Sequence, residues 1–548
     1  MRGGLRLAGL TLIFAPFMAA QTGPQILTFR SSVDGSGQPY AIYIPRAFDA
    51  ARRYPLVVSL HAEESDHRLN LRQVLGVASR MGEMNPADMH YAPAVPDLDY
   101  IVMCPLARGT MGYEGVAEQD VYDALADVER RYPIDRDRVY LTGISMGGGG
   151  ALRLALTRPD VWAAAAPLCA MEEPGTEEAL GNALNLPIRL YHGEQDPIVP
   201  AQSSRTLQRK LLDLGAPAEY IEYPGVRHNV WDFAYRNGAV FEWFAKFRRN
   251  PFPRRVRFTT SSYRYSAAYW LRIDGLTPGT AASIDARQSG SNTVQVETHN
   301  VDAFVLAPGH ALAAVMIDGT VLTVKTAGPV SFQTMSDGHW HWRADKATPR
   351  MPDKGPGMEG PIAAAFAGPH IYVYGSLQAR TDQELAERRQ EAETAAEWNG
   401  RWRLALTQTV KADTELTAEE IASANLILFG TAATNALIAR FAPEMPMALN
   451  PGAADYGLVF IAPERSRYVV VSSGLPWWTG AEEAARGGDP LQPRQLRILS
   501  TLGDYILFRG SLGHVVAEGR FDRWWRLPAE AAAKMAASGT ITIRTIPQ

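Results

Sequence analysis

Cysteine is nearly absent from this chain, with only Cys104 and Cys169 among 548 residues, so at most one disulfide is available. A run of lysines and arginines is missing too, and the formal net charge is -4. That balance argues against a general nucleic-acid binder and implies no polyanionic partner. Beyond the N-terminus no long apolar segment follows, so the mature protein is expected to be soluble rather than membrane-bound. Neither G-x-G-x-x-G nor G-K-[ST] occurs at Gly430-Thr431-Ala432-Ala433-Thr434-Asn435, the one stretch that faintly resembles a phosphate loop, and nucleotide binding carries little weight. His339 and His341 alternate along one strand face, but they lack a third ligand, so packing with Trp340 and Trp342 is the better reading and no metal is expected.

What is present is ordinary globular material, 46% hydrophobic and 20% charged over a length that suggests roughly three or four domains. Residues 1–20 stand apart. Two arginines precede the apolar stretch Leu7 to Met18, and the small pair Ala19-Ala20 lies before Gln21, the pattern of a secretory signal. The apolar stretch falls short of the roughly 20 residues a bilayer core needs. The protein is therefore expected to be secreted or periplasmic, where a disulfide is permitted without being required.

The chain is organised around Arg138 to Thr157, and within it around Gly143-Ile144-Ser145-Met146-Gly147. Val139 to Leu141 are β-prone, glycines punctuate a turn, and Ala151 to Leu156 are strong helix formers. Strand, sharp turn and helix with G-x-S-x-G at the turn read as a nucleophile elbow, whose strained backbone exposes the Ser145 hydroxyl. Around it, Ile26 to Arg30 and Tyr40 to Ile44 form a hairpin signal about Asp34-Gly35-Ser36-Gly37. Leu56 to Leu60 and Tyr100 to Met103 are buried-strand runs, Val161 to Leu168 and Ile188 to Tyr191 are further apolar strand candidates, Ala218 to Tyr223 makes another strand, and Ala117 to Tyr132 is a helix with one apolar face. Their alternation predicts an α/β domain with a doubly wound sheet over residues 21–250.

Asp196 and His228 each fall in a loop just past a strand end, where catalytic groups of such sheets sit. A serine hydroxyl needs an imidazole to take its proton, and the imidazole needs a buried carboxylate to hold its tautomer. The order Ser145, Asp196, His228 is that of α/β-hydrolases.

The stretch from Tyr40 to Phe244, through GISMGGGGAL, YHGEQDPIVP and PGVRHNVWDFAY, resembles secreted α/β-hydrolases of the feruloyl esterase and polyhydroxybutyrate depolymerase type, often grouped with prolyl oligopeptidases. The resemblance covers somewhat under half of the chain. It implies a Ser145, Asp196, His228 triad working through an acyl-enzyme with no cofactor. Such enzymes usually follow the third strand with His-Gly and further glycines, whereas this chain has His61-Ala62-Glu63-Glu64. A backbone donor needs no particular side chain, so Ala62 N–H is expected to pair with Met146 N–H as an oxyanion hole. Glu63 and Glu64 are expected in a solvated turn, pointing away or meeting a cation such as Arg68 or Arg72. By the same resemblance, the sheet order holds Cys104 and Cys169 roughly 14 Å apart, too far for a disulfide.

Pro251 to Arg255 marks a first boundary. Residues 251–347 read as a small β-rich module, with strand-like runs at Tyr269 to Ile273, Thr293 to Val296, Phe304 to Leu306, Ala314 to Ile317 and Val321 to Val324. After the loop-like Thr348 to Pro361, residues 348–548 read as a second α/β domain of unknown role, with strands such as His370 to Tyr374 and a helix over Asp382 to Trp398.

The leading expectation is a secreted serine esterase acting on feruloyl or acetyl polysaccharide esters or on a polyester, with Trp231 and Tyr113 as candidate substrate-binding aromatics. A prolyl oligopeptidase-like peptidase is the alternative, disfavoured because the segment before the third strand is too short for a propeller that admits only peptides. A binding protein with a decayed hydrolase domain is the third reading. Oligomeric state is open.

Overall fold

The computed structural model of the protein describes residues 21–77, 97–171, 173–335, 337–343, 354–398, 406–482, 484 and 491–544. The proposed signal, residues 1–20, lies outside them.

The first sheet grows from runs that can be buried on both faces. β1 (Gly23–Arg30) and β2 (Gly37–Ile44) pair as an antiparallel hairpin. β3 (Tyr54–Leu60) and β4 (Ile101–Pro105) are buried at every residue, as near-continuous apolar runs dictate. β5 (Ile134–Ile144), β6 (Ala164–Leu168), β7 (Ile188–Gly193) and β8 (Ala218–Tyr223) follow. β6 starts later than expected, because Val161 and Trp162 belong to the turn before it. The order is β1-β2-β4-β3-β5-β6-β7-β8, with β4 to β8 running parallel to β3 or to one another.

The connecting helices are α1 (His67–Val74), α2 (Val116–Arg131), α3 (Met146–Thr157), α4 (Thr176–Ala179), α5 (Ala201–Asp213), α6 (Trp231–Ala234) and α7 (Ala239–Phe244). α2 buries Val121, Leu125 and Val128, the stripe its spacing predicts. This is the α/β-hydrolase fold, and its sheet places the ends of β3, β5, β7 and β8 along one edge. Cys104 and Cys169 are buried free thiols, one on β4 and one past the end of β6. Two strands stand between them in the sheet, which is why they do not meet.

Beyond α7, strands between Arg255 and Arg343 form two five-stranded sheets. Inward alternation is clear in Arg255–Thr260, where Val256, Phe258 and Thr260 are buried, and in Ala282–Ser289, where Ala282, Ile284 and Ala286 are. Both strands went unrecognised in the sequence because their inward residues are small or separated by charge. The sandwich docks through Asn182, whose amide accepts from Thr259 N (2.7 Å) and donates to Thr259 O (2.9 Å). Buried Glu118 at the start of α2 accepts from Tyr265 Oη at 2.5 Å and faces Arg264 at 3.3 Å. His339 and His341 are both exposed, and His341 faces Asp337 at 3.3 Å.

The C-terminal sheet has seven strands between His370 and Gly519. Four of them run parallel, and the rest continue the sheet antiparallel. A helix at Asp382–Ala396 packs against the parallel half. The stretch after Gly430 closes on itself. Thr434 Oγ1 accepts from Thr431 N, and Asn435 caps a helix of six residues, so these side chains are engaged within the loop. Glu359 ties this part to the sandwich by accepting from Ser262 Oγ (2.5 Å), Tyr263 N (2.6 Å) and Arg264 N (2.9 Å).

Candidate active site

Ser145 stands between β5 and α3 with φ 56° and ψ -112°, a backbone conformation L-residues adopt only when their surroundings impose it. The surroundings here are two backbone crossings. A Cβ on Gly143 would stand 2.0 Å from Gly147 O, and one on Gly147 would stand 2.2 Å from Leu60 O and 2.6 Å from His61 O. Only glycine lets the first turn of α3 lie against the end of β3. That contact brings Met146 and Ala62, the two expected oxyanion donors, to the same corner. α3 begins at Met146, where first-turn N–H groups lack intrahelical acceptors.

Three loops meet at this corner. His228 Nε2 lies 3.0 Å from Ser145 Oγ, and His228 Nδ1 lies 2.7 Å from Asp196 Oδ2. Asp196 Oδ1 accepts from the N–H groups of Ile198 (2.9 Å) and Val199 (3.0 Å). Burial works to raise the Asp196 pKa. The hydrogen bonds from His228, Ile198 and Val199 outweigh it and hold the carboxyl below its ordinary value. The carboxylate is thus anionic at neutral pH and orients an imidazole whose other nitrogen reaches the serine.

His61 contacts Ala62 O with Nδ1 (2.8 Å) and Leu106 O with Nε2 (2.9 Å), which ties the segment after β3 to the segment after β4. Glu63 and Glu64 are exposed. Glu64 N donates to Thr110 Oγ1 at 3.0 Å, so the turn is pinned through its backbone.

Of the two aromatics expected to touch substrate, Trp231 stands edge to face with the His228 ring at 5.7 Å. Tyr113 does not face the site. It is 1% exposed, and its hydroxyl donates to His61 O at 3.0 Å. Its ring fills the space left by Gly150, where a Cβ would come within 2.4 Å of it. The expectation for Tyr113 is corrected accordingly: with no free face it supports the loop that follows β3.

A cleft of about 330 Å³ opens beside the elbow between α3, α4 and α5. Leu152, Met171, Leu180 and Leu207 give it apolar walls, and the Lys210–Glu177 ion pair (2.6 Å) stands at its edge. Met171 N reaches Ser145 O at 3.4 Å, which ties the cleft wall to the elbow. A larger cavity of about 670 Å³ lies where the sandwich, the C-terminal sheet and the far end of α3 meet.

The sequence placed neither Cys169 nor His192 beside the site. Cys169 Sγ lies 3.7 Å from His228 O. His192 Nε2 lies 3.3 Å from Asp196 Oδ2. The i, i+4 spacing of His192 and Asp196 was the only trace, and outside a helix such spacing says nothing about proximity.

A family model described as the dienelactone hydrolase family matches residues 108–240. A thermostable esterase of known structure is 27% identical with a TM-score of 0.34, and the match covers 41% of this chain and 63% of that one. A ferulic acid esterase from Anaeromyces mucronatus is 15% identical (TM-score 0.31), with 41% of this chain and 95% of that one covered. The acylaminoacyl peptidase of Pyrococcus horikoshii is 16% identical (TM-score 0.30), with 41% of each chain covered.

Proposed function

We infer that the protein is an exported serine hydrolase that cleaves carboxylic esters through an acyl-enzyme. The observation that carries this reading is the unbroken relay Ser145 Oγ, His228 Nε2, His228 Nδ1, Asp196 Oδ2, with contacts of 3.0 and 2.7 Å, at a serine held in strained backbone geometry. His228 takes the proton as Ser145 Oγ bonds to the ester carbonyl carbon, and Asp196 stabilises the imidazolium. The N–H groups of Met146 and Ala62 receive the developing oxyanion. The tetrahedral intermediate collapses as His228 returns the proton to the departing alkoxide, and water activated by the same imidazole then releases the acid. No cofactor takes part.

The indole of Trp231 against the His228 ring supports an aryl or short aliphatic acyl group as the substrate's acid part. Feruloyl or acetyl esters of polysaccharide and polyesters are the substrate classes that fit. Amide cleavage asks more of the same groups, because a poor amine must be fully protonated and the peptide positioned on both sides of the bond.

Ser145→Ala is expected to abolish both turnover of a chromogenic ester and covalent labelling by a fluorophosphonate. Asp196→Asn is expected to keep the fold and lower kcat by a factor on the order of 10⁴, since the imidazole is then held in the wrong tautomer. For the wild type, kcat/KM on an aryl or short acyl ester should exceed that on a prolyl or alanyl anilide by at least roughly 100-fold. Comparable values on the two would favour a peptidase.

A further inference from the structure

We propose that His192 is a positioning residue that holds the Asp196 carboxylate in register with His228 through a hydrogen bond from Nε2–H. The inference rests on the reading of Ser145, His228 and Asp196 as a triad and adds a fourth member behind it.

The tautomer follows from its neighbours. His192 Nε2 lies 2.9 Å from Val199 O and 3.3 Å from Asp196 Oδ2, and both atoms can only accept, so Nε2 must carry the hydrogen. Nδ1 lies 2.8 Å from Ser204 Oγ. In a neutral ring with Nε2 protonated, Nδ1 is a lone pair, and Ser204 donates to it. Burial pushes the His192 pKa below its ordinary value, which keeps the ring neutral. The titratable groups facing it are Asp196, His228 and Glu222 of β8, and Glu222 is paired with Arg205 at 2.8 Å.

The consequence is a carboxylate with polar partners at both oxygens. Oδ1 accepts from two backbone N–H groups and Oδ2 from His228 Nδ1, while His192 Nε2 stands 3.3 Å from the same Oδ2. The His192 bond lies behind the triad, one shell away from the reacting atoms. It also draws electron density from Oδ2, so the carboxylate stabilises the His228 imidazolium less than it otherwise would. Ser204 sits on the first turn of α5 and so connects the triad to the wall of the apolar cleft.

The test compares His192→Phe, which fills the ring's volume without a donor, with His192→Gln, whose amide nitrogen can reach the Nε2 position. His192→Phe should lower kcat on a chromogenic ester at least about tenfold with KM changed less than about twofold, because the lost contact positions the relay rather than binding substrate. The acid limb of its kcat/KM profile should move up by about half to one pH unit, the size of one hydrogen bond's effect on the His228 imidazolium. His192→Gln should restore the limb and most of kcat. If His192→Phe does not fold, His192→Asn, too short to reach Asp196, takes its place in the comparison. The proposal is overturned if the donor-free variant has a lower Tm but the wild-type limb and kcat, or if the Gln variant behaves like the donor-free one. Ser145→Ala keeps the two readings apart. An active Ser145→Ala protein sinks the triad itself, whereas an inactive one beside a wild-type limb in the His192 variant sinks only the role of His192.

Discussion

Gly147→Ala is the sharpest test of the elbow, because the structure states how far things must move. The new methyl would stand 2.2 Å from Leu60 O and 2.5 Å from Leu60 C, where ordinary contact begins at 3.4 Å. Both atoms are backbone at the end of β3, the strand that pairs Leu60 with Gly143, so no side chain can swing aside. Either the first turn of α3 or the segment Leu60 to Ala62 must give by about 1 Å. The two proposed oxyanion donors sit on opposite sides of that contact, and a shift of about 1 Å at reacting groups costs on the order of 100-fold in rate. That corresponds to about 2.7 kcal/mol of transition-state stabilisation. The assay is kcat and KM on a chromogenic ester together with the rate of fluorophosphonate labelling. Both rates should fall together while KM changes little, since Ser145 and the oxyanion site are displaced relative to each other. A variant that folds with wild-type kcat would refute the claim that this crossing sets the site's geometry.

His67 is buried with neither ring nitrogen hydrogen-bonded, and burial lowers its pKa to about 4. Between that value and about 6.5 the unfolded chain binds a proton that the folded one refuses, so stability falls as pH falls through this window. Denaturant unfolding at pH 7 and 4.5 should therefore show His67→Asn losing about 2 kcal/mol less than wild type, and equal losses would contradict the assignment. Glu359→Ala leaves three donors from the Ser262 to Arg264 turn without their acceptor. It should lower stability by about 1–3 kcal/mol while esterase kcat holds, and an unchanged Tm would mean that this contact does not hold the sandwich to the C-terminal sheet.

The sequence by itself determined the elements whose causes are local. Strands buried on both faces advertise themselves as apolar runs, and β3, β4 and β7 stand where such runs stand. G-x-S-x-G between a β-prone segment and a helix former located Ser145, and the order of loops after strand ends located Asp196 and His228, because this fold brings strand ends to one edge. Tertiary structure decided what depends on which surface meets which. Tyr113 has the composition of a substrate contact, yet the packing of α3 over it closes its ring against Gly150. Gly147 reads as turn punctuation in the sequence, and its need comes from the Leu60 carbonyl, a strand distant in the chain. The approach of His192 Nε2 to within 3.3 Å of Asp196 Oδ2 depends on how the loop after β7 folds back, which four residues of spacing do not encode. The docking residues Asn182, Glu118 and Glu359 carry no motif at all. Each is a single polar side chain bonded to the backbone or hydroxyl of another part of the chain, and such complementarity exists only once both surfaces have folded.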